Sequence, residues 1–355
     1  MPWFRKNKGD TPSANEVQLS RALQQTFRQY TAETEQQMQR DRDALDRGRI
    51  PEAAELRVKR TVNRELPWMS TLDIADLYLA DEIRMTPLVQ VTGSCYFQAA
   101  TDMNGRLYLD SNYDAANLVH AYYRAKNDAV ERMSQEASLA GAHAIVDAAF
   151  KFSRNQTVVE CSVIGTAVQF EGVRPGKTPL VSPLSGEEFY KLLQVGWIPV
   201  NYCLGYHWHC MPVGYRTRSI SSLWNFLNQE LTPVVERFSD TRRYAIQQMV
   251  ADARGGPRVD GFVGVSVKTE IEETELRIYA GYRGGYGAFN MMGNGITIDG
   301  SFYSLDSSIR PFGNEGVAEV PAYNLEFFAT GAGIARIGTG RLTKEALGTY
   351  LSSLN

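Results

Sequence analysis

One plan is written twice in this chain, and that duplication limits the available folds more than any other feature. Pro87 and Gly93 return as Pro199 and Gly205, both at an offset of 112 residues. Val130, Met133 and Ala137 return as Ile246, Met249 and Ala253 at an offset of 116, and Ile145-Val146 as Phe262-Val263 at 117. Glu160-Cys-Ser-Val-Ile-Gly-Thr-Ala-Val168 then corresponds to Glu326-Phe-Phe-Ala-Thr-Gly-Ala-Gly-Ile334 at 166. The jump from 117 to 166 locates an insertion of about 49 residues in the second copy, between Val267 and Glu326. Two copies are too few for a solenoid, so the pattern predicts one duplicated α+β domain pair.

The copied unit is legible in its elements. Ser70-Thr-Leu-Asp73 offers polar caps to a short helix ending near Arg84, and Pro87 introduces a strand through Gly93 and on to Phe97. Asn104-Gly105 signals a hairpin turn, with Leu107-Tyr-Leu returning. A long helix from about Ala115 to Ala140 presents Val119, Tyr123, Val130, Met133, Ala137 and Ala140, and Gly141 stops it. Ala144 to Phe150 and Thr157 to Phe170 follow as strands. After a Gly/Pro-rich linker, Ser185-Gly-Glu-Glu188 has the pattern of a capping box, opening a helix to Gly196 that leads into a strand through Gly205. The inserted stretch, Tyr279 to Gly295, is rich in glycine and aromatics and reads as β-hairpins at a ring edge or subunit contact, with ligand stacking as the alternative.

Ahead of these lies a Gln/Glu/Arg-rich stretch, 14–49, in which Leu23, Phe27 and Tyr30 make one narrow helical stripe. Such a stripe cannot fill a core of its own and needs a partner surface. Pro51 precedes Glu52-Ala-Ala-Glu-Leu, so a second helix is expected to about Leu66. The resulting division is a helical N-terminal arm at 1–69, a first domain at 70–172, a linker at 173–183, a second domain at 184–340 with its insertion at about 268–325, and a tail at 341–355.

Ala129-Val-Glu-Arg-Met-Ser-Gln-Glu-Ala137, Gly141-Ala-His-Ala-Ile-Val146 and Gly165-Thr-Ala-Val168 together resemble the YbjQ-like family, named for heavy-metal binding. The first copy, about 86–170, carries the resemblance, and 198–337 is similar to a more distant copy. His143 stands where the family pattern tends to have Asn, and Asp260 occupies the equivalent place in the second copy. The resemblance implies an α+β fold assembling into pentameric rings, and a metal role.

The chain's own ligands qualify that role. His207-Trp-His209-Cys210, with Cys203 upstream, is its densest set of metal-binding side chains. On a strand, residues 207 and 209 share a face about 6.7 Å apart, close enough for both imidazoles to reach one zinc or other transition-metal ion. Cys210 points the other way, and Cys203 lies about 13 Å along a straight strand. An aromatic-rich strand packed on both sides is the competing reading. His120 and His143 are lone histidines.

Composition removes other classes. A net charge of −3 and a pI near 5.9 leave no general basic surface for duplex nucleic acid. Cys95, Cys161, Cys203 and Cys210 do not read as a disulfide framework, and a reducing, cytoplasmic location is expected. Met1 to Lys8 places two aromatics beside three basic residues, a composition that could touch an anionic membrane, although a frayed terminus accounts for it as well. Gly176-Lys177-Thr178 has Glu171 where a phosphate-binding loop needs glycine, and Pro179 interrupts the helix that should follow. The chain has no nucleophile elbow and no helical paired-histidine motif. The expectation is therefore a non-catalytic, ring-forming homo-oligomeric scaffold whose arm recruits a protein partner. Metal binding through His207 and His209 is the alternative, and an unrecognised enzyme the third reading.

Overall fold

The computed structural model describes residues 34–100, 116–173, 176, 178–212, 232–279, 289–292, 295–298, 301–304, 317–340 and 343–353. The chain divides into two compact units, Met1–Arg57 and Val58–Asn355. The membrane-like Met1 to Lys8, the stripe of Leu23, Phe27 and Tyr30, the Asn104-Gly105 turn and Lys177 lie outside the described residues.

In the first unit, helix α1 covers 34–46. Its polar surface is tied along the axis, with Gln39 Nε2 donating to Asp43 Oδ1 at 2.8 Å one turn on. Asp41 accepts from the backbone N–H of Glu52, at the start of helix α2 (Glu52–Val62). The two helices expected of the arm are thus present in the described part, and α2 stops four residues short of Leu66. Its Glu52 and Glu55 in the first turn, and Lys59 and Arg60 in the last, suit the helix dipole.

The second unit is α+β. Helix α3 (Ile74–Glu82) leads to β1 (Met85–Gln98), helix α4 (Ala116–Leu139), β2 (Ala144–Asn155) and β3 (Val158–Phe170). β1 and β2 both run antiparallel to β3, and the short β4 (Leu180–Val181) adds in parallel, giving the order β1-β3-β2-β4. The end of the expected linker is therefore built into the first sheet. Helix α5 (Gly186–Gln194), β5 (Trp197–Pro212), helix α6 (Thr232–Asp252), β6 (Gly261–Tyr279) and β10 (Val317–Arg336) follow, with sheet order β5-β10-β6. Between β6 and β10, strands β7 (Phe289–Met292), β8 (Gly295–Ile298) and β9 (Ser301–Ser304) form a small antiparallel sheet. Helix α7 (Lys344–Ser353) sets Leu347 and Leu351 in the core beside α5.

The two larger sheets share their register as well as their strand order. Met85 pairs with Phe170 and Trp197 with Arg336; Leu88 and Val200 are both bulged out of their ladders. On the other flank a second bulge falls after Val146 and after Val263, and Asp147 and Gly264 there both adopt positive φ, 54° and 60°. That conformation costs an aspartate more than a glycine. Helices α3 and α5 each start on a reciprocal capping box, Asp73 with Asp76 and Ser185 with Glu188. The first-sheet hairpin closes at Asn155 and Val158, whereas the matching pair, Glu272 and Asn324, opens into seven more residues on each strand before the small sheet.

Packing repeats too. Gly93 of β1 lies against the backbone of Ala129 and Met133 on α4, and Gly205 of β5 against Ala245 and Met249 on α6. A Cβ at either glycine would run into a helix carbonyl, which is why the strands carry glycine there. A carboxylate from each helix then catches an outward N–H of the edge strand: Thr92 N donates to Glu136 Oε2 and Leu204 N to Asp252 Oδ2, both at 2.9 Å.

The apolar face expected on α4 splits in two. Ala129, Met133 and Ala137 pack with β1 and β3, while Tyr123, Lys126 and Val130 turn to the second half. Leu204, Tyr206, Trp208 and Cys210 of β5 enter that same core from the far side. The opposite face of β5 and β10, with Cys203, Phe327 and Ala329, is covered by Ala245 and Met249 of α6.

Candidate functional site

β5 carries the metal ligands expected from sequence, and its burial on both faces decides what they can do. His207 is buried, paired across the ladder with Phe327, with its ring 5.1 Å from that of Tyr244 on α6. His209 is half-buried opposite Leu325. Cys203 lies in the α6-side core and its Sγ donates to Asn201 Oδ1 at 3.2 Å, whereas Cys210 belongs to the core on the α4 side. Burial pushes the thiols of Cys161, Cys203 and Cys210 up to about 12, so they stay protonated at neutral pH. Cys95, aligned with His207, is raised by burial and by Asp128, which its Sγ contacts at 3.7 Å.

Two imidazoles thus share a strand face, and the two cysteines of β5 lie on opposite faces. A structural zinc site takes four donors and a catalytic one three. Among the described residues no group of three or more His, Cys, Asp or Glu side chains is placed to hold one ion. This donor set does not fit a resident heavy-metal centre.

The remaining histidines have packing contacts. The ring of His120 meets Phe97 edge-on at 5.9 Å. Nδ1 of His143 accepts the N–H of Phe170 at 2.8 Å, tying the start of β2 to the end of β3. Asp260 does the same in the second half, its Oδ2 accepting from Arg336 N at 3.0 Å. A side chain that accepts from the backbone is what both positions share.

The charged chemistry collects where the halves meet. Lys126 Nζ on α4 pairs with Asp252 Oδ2 at the end of α6, both side chains largely buried at 7% and 11% exposure. Tyr123 OH donates to the carbonyl of Leu204 at 2.8 Å. Arg154 of β2 pairs with Glu326 of β10, which also accepts from Tyr206 OH at 3.1 Å. The Tyr206 ring lies 3.9 Å from Tyr122 on α4, and Phe150 stacks on Tyr202 at 3.7 Å. Burial raises the pKa of Glu326, against the opposing pull of Arg154. Two recesses flank these pairs: one of about 580 Å³ edged by Lys126, Val130, Leu180, Tyr202 and Asp252, and one of about 510 Å³ edged by Tyr122, Phe152, Arg154, Lys268 and Glu326.

Each buried charge here has an opposite charge against it. Such pairs add little net stability, because desolvation offsets most of their attraction. Sequence reasoning missed all four residues. Lys126 interrupts the stripe of Tyr123 and Val130, and Glu326 recurs at the place of Glu160; those were the available signals.

Residues 114–171 match the YbjQ family, described as "Putative heavy-metal-binding". The matched stretch is α4, β2 and β3. No curated protein and no solved structure matches the chain. The YbjQ segment supplies Tyr122, Tyr123, Lys126 and Arg154 to the junction between the halves. Its histidines and cysteine, His120, His143 and Cys161, sit against Phe97, against Phe170 and in the core respectively. Cys203, His207, His209 and Cys210 all fall outside it.

Proposed function

We propose that this chain is a non-catalytic scaffold in which two YbjQ-like domains, 70–172 and a diverged 184–340, build a homo-oligomeric ring. Support for the second domain comes from matched strand order, bulges and glycine–helix contacts at constant offsets. The observation that carries the assembly is the junction itself: the outer side of α4 in one half is buried against the sheet of the next. That contact is heterologous, one kind of surface meeting a different kind, and repeating such a contact closes a ring when the rotation allows. A pentamer is the ring size that the family resemblance implies, and the arm at 1–69 is the element that recruits a protein partner.

The test is mass and shape in solution. Light scattering at micromolar concentration should give a multiple of the 39.7 kDa chain, and native imaging should show rings of five-fold symmetry. A monodisperse monomer ends the reading.

A further inference from the structure

The halves of the chain are packed head to tail, and their correspondence shows which surface is left over. On α4 the stripe turned to the second half is Tyr123, Lys126, Val130 and Ser134. The matching stripe on α6, at the offset of 116, is Ser239, Arg242, Ile246 and Val250. Ser239 and Arg242 are exposed, Ile246 is half-buried and Val250 is 38% exposed. The same asymmetry holds on the neighbouring strands. Phe150 and Phe152 of β2 are half-buried against Tyr202 and Phe328, while Ile271 of β6, matching Arg154, is 54% exposed, and Val265 and Val267 beside it are exposed too.

We infer that this α6–β6 surface docks a second copy of the chain, on the outer edge of its β1. This docking rests on the homo-oligomeric reading above and adds to it the pair of surfaces that meet. Lys126 of α4 meets Asp252, the carboxylate that also receives the N–H of Leu204. The equivalents are Arg242 on one copy and Glu136 on the next, where Glu136, itself only 3% exposed, receives the N–H of Thr92 in the same way beneath the exposed Thr92 and Ser94. The signs of the two charges are the same although both residue types have changed. The receiving face differs in one respect: Gln90, Thr92 and Ser94 stand where the second sheet has Tyr202, Leu204 and Tyr206. A contact there is wetter and more electrostatic than the one inside the chain, so it weakens with salt.

The full-length chain carrying Arg242→Glu, and separately Val250→Asp, tests this. Both positions lie on the solvent side of α6, so thermal unfolding measured at a dilution where the parent is dissociated too should be unchanged, which separates loss of docking from loss of fold. Each variant should dissociate on dilution at least about tenfold more readily than the parent, the parent itself dissociating as salt rises. A photo-cross-linker placed at 250 should capture peptides around Thr92 and Glu136 of a differently isotope-labelled copy. An oligomer that neither variant weakens overturns the docking surface and leaves the scaffold reading standing. So does a cross-link to residues 1–57, which would make the arm the occupant. A parent chain that is monomeric at every concentration removes the scaffold reading itself.

Discussion

Glu326 is a carboxylate in a buried site. It sits on a central strand with 6% of its side chain exposed, held by Arg154 and Tyr206. Burial favours its neutral form, Arg154 and the tyrosine favour the ionised one, and the balance raises its pKa. The consequence for stability has a definite sign. The unfolded chain releases this proton near the ordinary glutamate value, about 4.3, while the folded chain holds it to higher pH. Between those two values the folded state binds more protons, so the unfolding free energy contributed by Glu326 falls as pH rises. In Glu326→Gln that slope is absent. Urea unfolding of parent and variant between about pH 4 and 7 should show the parent losing ground to the variant as pH rises, then a plateau. A parent that instead gains on the variant with rising pH would show that Arg154 outweighs burial. Lys126 and Asp252 belong to the same class; removing either partner should cost about 3–5 kcal/mol, because the other is left buried and charged.

At the scale of elements, the correspondence between the two larger sheets is legible in the sequence because its determinants are local. Gly93 and Gly205 must be glycine for a helix to lie on the strand, Pro87 and Pro199 each stand third in an edge strand just before its bulge, and Asp73 and Ser185 start each preceding helix. Those requirements survive divergence of the surrounding side chains. The two glycines therefore make a matched experiment: Gly93→Ala and Gly205→Ala should each destabilise by about 1–3 kcal/mol, the ordinary cost of overpacking, since the added methyl meets helix backbone that cannot swing aside. Thermal unfolding reads both, and a neutral Gly205→Ala would mean that α6 packs less closely than α4. The junction was not legible for the converse reason. Lys126 and Asp252 are 126 positions apart, Arg154 and Glu326 are 172 apart, and nothing in the neighbourhood of any of them names its partner. The β5 histidines show the opposite failure. The spacing of His207 and His209 puts both on one face of β5, but spacing says nothing of what lies across from it, and Phe327, Leu325 and Tyr244 are what lies there. The insertion also looked shorter-ranged from sequence than its pairing shows, because β6 and β10 continue as a ladder from Glu272 and Asn324 out to Tyr279 and Val317.

For the whole molecule, what matters is which parts fold together and which add on. No described helix is long and apolar enough to cross a membrane. The compact unit from Val58 onward holds both sheets and their helices, and Val58 itself is fully buried in the main core. The unit before it shows the other composition: α1 is tied by side-chain bonds along its own surface, and its described residues are exposed or half-exposed. A helix of that kind contributes little to a core and is better suited to a contact made in assembly. Removing residues 1–51, which spares α2 with Val58 and Thr61, should therefore leave the thermal unfolding midpoint within a few degrees of the parent, roughly what a change under 1 kcal/mol gives in a chain of this size. If the chain assembles through the proposed α6–β6 surface, that oligomer should persist in the truncated chain, while any higher association, or capture of a partner protein, should be lost. Light scattering, unfolding and imaging of the same truncated sample separate these outcomes. A truncated chain that unfolds many degrees earlier would place the arm within the folding core, and one that falls to monomers would make the arm the ring contact.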